Sequence, residues 1–341
     1  MSNKDSYEAM LAQSGCGTSG YVSDLLGSRR SAHKVNQRHV EETSGIHQYL
    51  RQKDCHALKE QIQLFHQKKE GIAYTDKEIF VGRGASALMS VQMSLIKALG
   101  YKKVYYFAPV YHTIETMAEL LGLELCPVNE GVHSLDGFHF SLPEEQSFLI
   151  ITDPLLGLGR SASRELIDTL IAWQERTQSL IWVDGVWQYL KWDEHDNREL
   201  SAELNPELTF RTISPVHQMA TPGLRFAYQI MPARMYDAYA ELYSTWHGSH
   251  CAHAYRAALA LMYDLNSDEG NRHVIRQAKE NYHALKEAGY IHDPYDVNTG
   301  YRTVVKLMHP NKHTGHAYRT HDIKSDHHVY VNLLLPKSHW D

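Results

Sequence analysis

Short apolar runs of strand length alternate with helical stretches across residues 78–231, and no other feature limits the possible fold as much. After a short strand at Glu78–Val81 come KKVYYFAP, ending at Pro109, then LELCPV, then SFLIITDP, ending at Asp153-Pro154. SLIWVDG, LTFRTIS and LRFAYQIM complete the series. Between them, Leu88, Val91, Leu95 and Leu99 mark one face of a helix over 86–99. HTIETMAELLG is a second helix, closed by Gly122, and SRELIDTLIAWQERT a third, with Ile167, Leu170 and Ile171 turned inward. A further helix is expected over about 47–69, where Leu58, Ile62 and Phe65 recur. Strands separated by helices of this length imply an α/β fold, a mixed or parallel sheet flanked by helices on both faces. In open sheets of that kind ligands lie beyond the carboxyl ends of the strands.

After Met231 the pattern changes. Helical stretches at Ala233–Tyr243, Cys251–Leu265 and Asn271–Ala288 precede two strand-like runs, TGYRTVVKLM and HHVYVNLLLP. The expected organisation is an N-terminal arm over 1–49, a large α/β domain over 50–230 and a small C-terminal α+β domain over 231–341.

Composition narrows the partners. Of 341 residues 43% are hydrophobic and 22% charged, which is ordinary for a globular chain. No apolar run has the length needed to cross a bilayer, and the polar start MSNKDSYEAML does not resemble a secretory signal. A cytoplasmic protein without a membrane partner is expected. The net charge of −6 argues against a nucleic-acid partner. Four scattered cysteines are read as reduced thiols. The 23 histidines raise the question of metal. They gather at His247, His250 and His253, and again at His309, His313, His316, His321, His327 and His328, without a motif such as HExxH. No metal site is expected.

Four strand ends carry polar groups. Gly82-Arg83-Gly84-Ala85-Ser86 enters a helix, so its N–H groups can receive an anion or simply form a tight turn. Tyr111 follows Pro109, as a stacking platform or an exposed loop residue. Asp184 closes an apolar strand, where a buried carboxylate needs a partner such as a protonated pyridine nitrogen, or else caps a turn. Ser214 and Arg225 bracket His217 and can hold a phosphate, unless Arg225 is a surface ion-pair residue.

In order and spacing these segments resemble the class I/II aminotransferases, the fold-type I pyridoxal-phosphate enzymes, from about Asp54 to Tyr228 and weakly again near the C-terminus. The resemblance implies that Gly84, Ala85 and Ser86 receive the cofactor phosphate with Ser214 and Arg225. It also implies that Tyr111 stacks on the pyridine ring and Asp184 pairs with its nitrogen. Asp153-Pro154-Leu155-Leu156-Gly157 resembles the Asn-Pro loop of the family. A homodimer and a small-molecule substrate are implied as well.

The pattern breaks at the reacting carbon. His217 stands eight residues before Arg225, where the family has the lysine that tethers the cofactor. Imidazole cannot make that covalent link. Leu156 replaces an asparagine that contacts the cofactor's phenolic oxygen. Trp187 replaces a tyrosine, although its N–H can still donate. Asn332 falls where an arginine clamps the substrate carboxylate, and Arg83, Arg160 or Arg302 could take over that task. His247 and His250 lie in a region that approaches the substrate in such enzymes. The expectation is an aminotransferase-like enzyme holding pyridoxal or pyridoxamine phosphate noncovalently, with His217 (ordinary pKa about 6.5) as acid/base on a small amine or amino-acid-derived substrate. A related family of sugar dehydratases makes the same lysine-to-histidine exchange. The alternatives are a fold that has lost the cofactor and binds another small molecule, or a noncatalytic partner.

Overall fold

The computed structural model describes residues 49–130, 139–156, 158–193, 198–289, 291–292, 297–307 and 328–334. Apart from Tyr49, the expected N-terminal arm lies outside these residues, as do His309, His313, His316, His321 and His327.

Seven strands form one sheet: β1 (Ile79–Gly82), β2 (Lys103–Tyr106), β3 (Glu124–Pro127), β4 (Phe148–Thr152), β5 (Leu180–Gly185), β6 (Thr209–Ile213) and β7 (Ala227–Ile230), in the order β1-β7-β6-β5-β4-β2-β3. β7 runs antiparallel to both β1 and β6, and the other neighbours are parallel. The expected mixed or parallel sheet is therefore present, with helices on both faces.

The side-chain alternation of a strand sends successive residues to opposite cores. Phe148, Ile150, Trp182 and Phe210 pack with helices α2 (Ala85–Ala98) and α3 (His112–Leu121). Leu149, Ile151, Ile181 and Val183 pack with Leu166, Ile167, Leu170 and Trp173 of α4 (Arg164–Thr177). Burial on both faces explains why β4 and β5 read as nearly continuous apolar runs. Ser163 starts α4 by accepting a hydrogen bond from the Leu166 N–H at 3.2 Å.

One sequence expectation shifts. Helix α1 spans His56–Glu70 and not 47–69, because residues Gln52–Asp54 form a 3-10 turn and Leu50 pairs with His250 across an isolated bridge. α6 (Tyr236–His247) places Tyr239 and Tyr243 in the core with Phe80, and α7 (Ala252–Leu265) places Leu261, Met262 and Leu265 against Leu58, Ile62 and Tyr228. Both helices thus complete the faces of the large sheet. A separate core forms from α8 (Arg272–Glu287), β8 (Ile291–His292) and the segment around Leu333, together with Leu190 and Trp192. β9 (Arg302–Leu307) and β10 (His328–Asn332) pair antiparallel, with β8 on the other edge of β9. The short α5 (Pro215–Gln218) follows β6.

A buried ion pair ties the layers together. Arg211 of β6 grips Glu70 of α1 with both guanidinium arms, Nη2 to Oε1 at 2.8 Å and Nη1 to Oε2 at 3.2 Å. Tyr189 and Gln188 accept further bonds from Arg211, each at 3.0 Å. Gln188 in turn donates to Asp153 at 3.0 Å, and Ser201 donates to the same oxygen at 2.7 Å. Burial alone would raise the Glu70 carboxyl, but Arg211 and His66 outweigh it and hold it well below the usual range. Removing one member of such a pair strands the other charge in the interior. Glu70→Gln is therefore expected to lower the unfolding free energy by about 3–5 kcal/mol, measured by urea denaturation. A loss under about 1 kcal/mol would show that Arg211 does not depend on this partner.

Candidate active site

The carboxyl ends of β5 and β6 and the start of α2 bring most of the candidate residues to one edge of the sheet, with Arg225 just before the antiparallel β7. Asp184 is the penultimate residue of β5 and only 1% exposed. Its backbone carbonyl accepts from Asp153 N at 3.1 Å, which fixes the strand end against the turn after β4. Its side-chain Oδ1 is buried without a hydrogen-bond donor. Burial pushes the carboxyl up to about 7, and the Val186 N–H offsets only part of that. Next to it, Gly185 cannot carry a side chain, since a Cβ would lie 2.7 Å from Gln188. The close approach lets Gln188 join Asp153 to Arg211 directly behind Asp184.

His217 sits in α5, one turn past Ser214, whose carbonyl receives the His217 N–H at 3.0 Å. The imidazole stacks on the indole of Trp187, with centroids 4.4 Å apart and planes inclined by 31°. Tyr301 meets the same indole edge-on at 5.0 Å, and the Arg302 guanidinium lies over it at 6.0 Å. Burial, then the charges of Arg302 and Arg225, push the imidazole down to about 3. In the ligand-free cleft this burial and these charges favour the neutral ring over the imidazolium.

The start of α2 brings a glycine turn beside a cation. Gly84 adopts φ +92°, closed to most residues, and a Cβ there would sit 3.2 Å from Arg225 Nη2. The guanidinium therefore rests beside the turn from which the first N–H groups of α2 emerge, at Ala85 and Ser86. Arg225 itself is held at φ +51° between the Pro222–Leu224 turn and β7, and its side chain is exposed. Ser214 is buried at the end of β6, with Oγ 3.5 Å from the Phe226 carbonyl.

Tyr111 starts α3 beyond β2, two strands from Asp184, with its ring 4.3 Å from His112 and 36% exposed. Asn129 holds the approach to it by bonding both the N–H and the carbonyl of Ala108, at 2.6 and 2.9 Å. Leu156 lies in the turn after β4, where Leu155 pairs with Arg160. Asn332 is buried in β10, opposite Arg302, and its Oδ1 accepts from Leu334 N at 3.1 Å. His247 packs α6 on α2, its Nε2 2.8 Å from Ser90 Oγ, and Arg83 donates to its carbonyl at 3.1 Å. His250 lines a small cavity with Arg83, Arg225, Cys251 and Tyr255; burial, Arg83 and Lys59 push it down to about 4. Among the described residues no three His, Cys, Asp or Glu side chains converge as metal ligands. Sequence reading overlooked Asn129 and Gln188, which serve through tertiary contacts that no local motif announces.

A sheet with these polar groups at its carboxyl edge is a ligand-binding α/β architecture, and the donorless Asp184 oxygen and the Gly84–Arg225 cradle fit a protonated pyridine and a phosphate. The chain belongs to the family Aminotransferase class I and II, whose model matches residues 22–332. Members of that family use pyridoxal phosphate. Solved structures share the fold: an aspartate aminotransferase from Thermotoga maritima is 18% identical with a TM-score of 0.66, covering 81% of this chain and 74% of that one. An Escherichia coli protein with a methionine aminotransferase function is 15% identical, TM-score 0.72, with 90% and 86% covered. Aminotransferase AspB from Helicobacter pylori is 13% identical, TM-score 0.72, with 89% and 86% covered. Among curated proteins no sequence matches. No helix among the described residues is long and apolar enough to cross a membrane.

The raised pKa of Asp184 has a sign that can be tested. An unfolded aspartate titrates near 3.9, so the neutral acid contributes full stability below that pH, and the contribution is lost as pH rises to about 7. His217 acts in the opposite sense, its contribution being complete above about 6.5 and lost as pH falls toward 3. Asp184→Asn removes only the first effect. In ligand-free protein the variant is expected to gain roughly 4 kcal/mol relative to the parent between pH 4 and 8, measured by chemical denaturation. Parallel pH profiles would show that Asp184 is already compensated.

Proposed function

We propose that the protein binds pyridoxal or pyridoxamine phosphate without a covalent link and performs aminotransferase-like chemistry on a small amine or amino-acid-derived substrate, with His217 handling the proton. The observation that carries this reading is the buried Asp184 Oδ1, which lacks a donor at the strand end beside the Trp187–His217 stack. A carboxylate in that state gains most from a cationic N–H, and a protonated pyridine nitrogen supplies one.

Gly84, Ala85, Ser86, Ser214 and Arg225 would hold the phosphate, and Tyr111 would cover the ring. When bound, the cofactor withdraws electrons from the substrate carbon and eases loss of its proton. Asp184 would pair with the pyridine nitrogen and favour its protonated form. The Trp187 indole orients the His217 ring and excludes water from one of its faces. In the empty cleft a base of pKa about 3 is too weak to hold a proton near neutrality. Anionic groups beside Arg225 and Arg302 would offset the charges that add to the effect of burial, and so move the imidazole toward proton-carrying basicity in the loaded site. The apolar Leu155–Leu156 turn favours the rival reading, a cleft that has dropped the cofactor for another small molecule. A homodimer and a cytoplasmic location belong to the same proposal, and sedimentation of the full chain tests the first.

Gel filtration after incubation with pyridoxal phosphate is expected to leave absorbing cofactor on the protein. Borohydride treatment and peptide mapping should find no modified residue in the parent cleft and a cofactor adduct at position 217 in His217→Lys. Arg225→Gln should weaken retention by roughly ten- to a hundredfold. An unchanged spectrum at roughly millimolar cofactor would remove the cofactor from this reading.

A further inference from the structure

We propose that Tyr189 is a positioning residue for the Trp187–His217 stack, and that the buried side chain of Glu199 is the anchor that holds it. The use of that stack in proton transfer rests on the function proposed above. Tyr189 is 5% exposed and adopts φ +63°, the left-handed region that a bulky residue enters only at a cost. Such a conformation persists only where the surroundings over-determine it. Here the N–H donates to Glu199 Oε1 at 2.6 Å, and the carbonyl accepts from Asn271 Nδ2, at the start of α8, at 2.8 Å. The hydroxyl donates to Glu70 Oε1 at 2.7 Å and accepts from Arg211 Nη2 at 3.0 Å. A glycine would meet the same φ without strain but would bring no hydroxyl to the Glu70–Arg211 pair.

Glu199 is the costly member. It is fully buried, and its Oε2 has no hydrogen-bond donor. The Lys191 ammonium stands 3.9 Å from that oxygen and donates to the Arg198 carbonyl at 2.5 Å. Burial, then the charge of Asp153, push the Glu199 carboxyl up to about 8, so the neutral acid is favoured near neutrality. A buried acid that serves one backbone N–H specifies geometry more than it adds stability. That geometry belongs to the turn carrying the indole. The Gln188 N–H closes this turn on the Gly185 carbonyl at 3.0 Å, and Tyr189 pins its far end, two residues after Trp187. Beyond Tyr189 the chain enters the small core, where the Leu190 carbonyl accepts from Gly300 N at 2.9 Å. The indole itself is gripped by rings, His217 at 4.4 Å and Tyr301 at 5.0 Å. A ring pair contributes no more than the strain of a left-handed residue costs. The hydrogen bonds therefore hold Tyr189, and the stack follows from where Tyr189 is held.

Nuclear magnetic resonance of the full ligand-free chain, with isotope-labelled histidine, tests the assignment. The Cε1–H of His217 is expected upfield, shielded by the indole face. It is identified by its disappearance in His217→Asn, and its displacement should vanish in Trp187→Leu. Glu199→Leu, which removes the acceptor, should lose most of the displacement. Glu199→Gln, which keeps a neutral acceptor of the same shape, should retain it. A cooperative urea transition checks that each variant is folded. If Glu199→Leu fails that check, Asn271→Ala decides, and it should lose the displacement as well. Retention of pyridoxal phosphate by absorbance should change less than about threefold in Glu199→Leu, because Gly84 and Arg225 are untouched. An undisplaced resonance in the parent, a parent-like displacement in the folded deciding variant, or equal loss in Glu199→Gln and Glu199→Leu would each overturn the assignment. So would a folded Glu199→Leu that loses the cofactor together with the displacement, since the whole cleft would then depend on Glu199. Failure of the parent to retain cofactor, with the histidine pattern intact, would remove the proposed function and leave Tyr189 and Glu199 in their roles.

Discussion

Charge burial at the end of β5 organises this molecule. Asp184 lies in a strand covered on both faces by apolar side chains, and one of its oxygens meets no donor. Such a group is tolerated as a neutral acid or beside a cation. The surrounding elements keep it from relaxing. Gly185 admits Gln188 to close range, Gln188 bonds Asp153, and Asp153 is locked to the β5 end through the Asp184 carbonyl. Under the proposed function, a cation at this strand end would relieve the cost of the buried carboxyl.

The second constraint is the aromatic stack beside it. Under the proposed function, an imidazole in place of an amine would remove a covalent tether and a charge together. Trp187 carries the ring at 4.4 Å on one side and the Arg302 guanidinium at 6.0 Å. The outcome is a neutral His217 flanked by cations. Under the proposed function, an anion bound beside these cations would offset their part of the depression of His217, with burial remaining the larger cause.

Behind the cleft, the Glu70–Arg211 pair and its partners join α1, β6 and the turn after β5. Buried networks of this kind specify geometry more than they add stability. Here the network reaches Asp153 through Gln188, so the position of Asp184 is coupled to a core salt bridge on the far side of β6.

Local order was legible in the amino-acid sequence because strands and helices impose periods of two and 3.6 on apolar residues. The seven strands of the large sheet, the helices between them and the strand-end positions of Asp184, Ser214 and Arg225 all follow from that spacing. The displacement of α1 and the packing of α6 and α7 on the large sheet did not, since both depend on which faces meet across long separations. The basicity of His217 was likewise set in three dimensions. Residue 217 has a fixed identity, but its charge state depends on Arg302, a neighbour 85 positions away in the chain, and on the indole that excludes water. Residue type and period determine what can be buried; only the folded chain brings distant charges within Coulombic range and so determines what each group does.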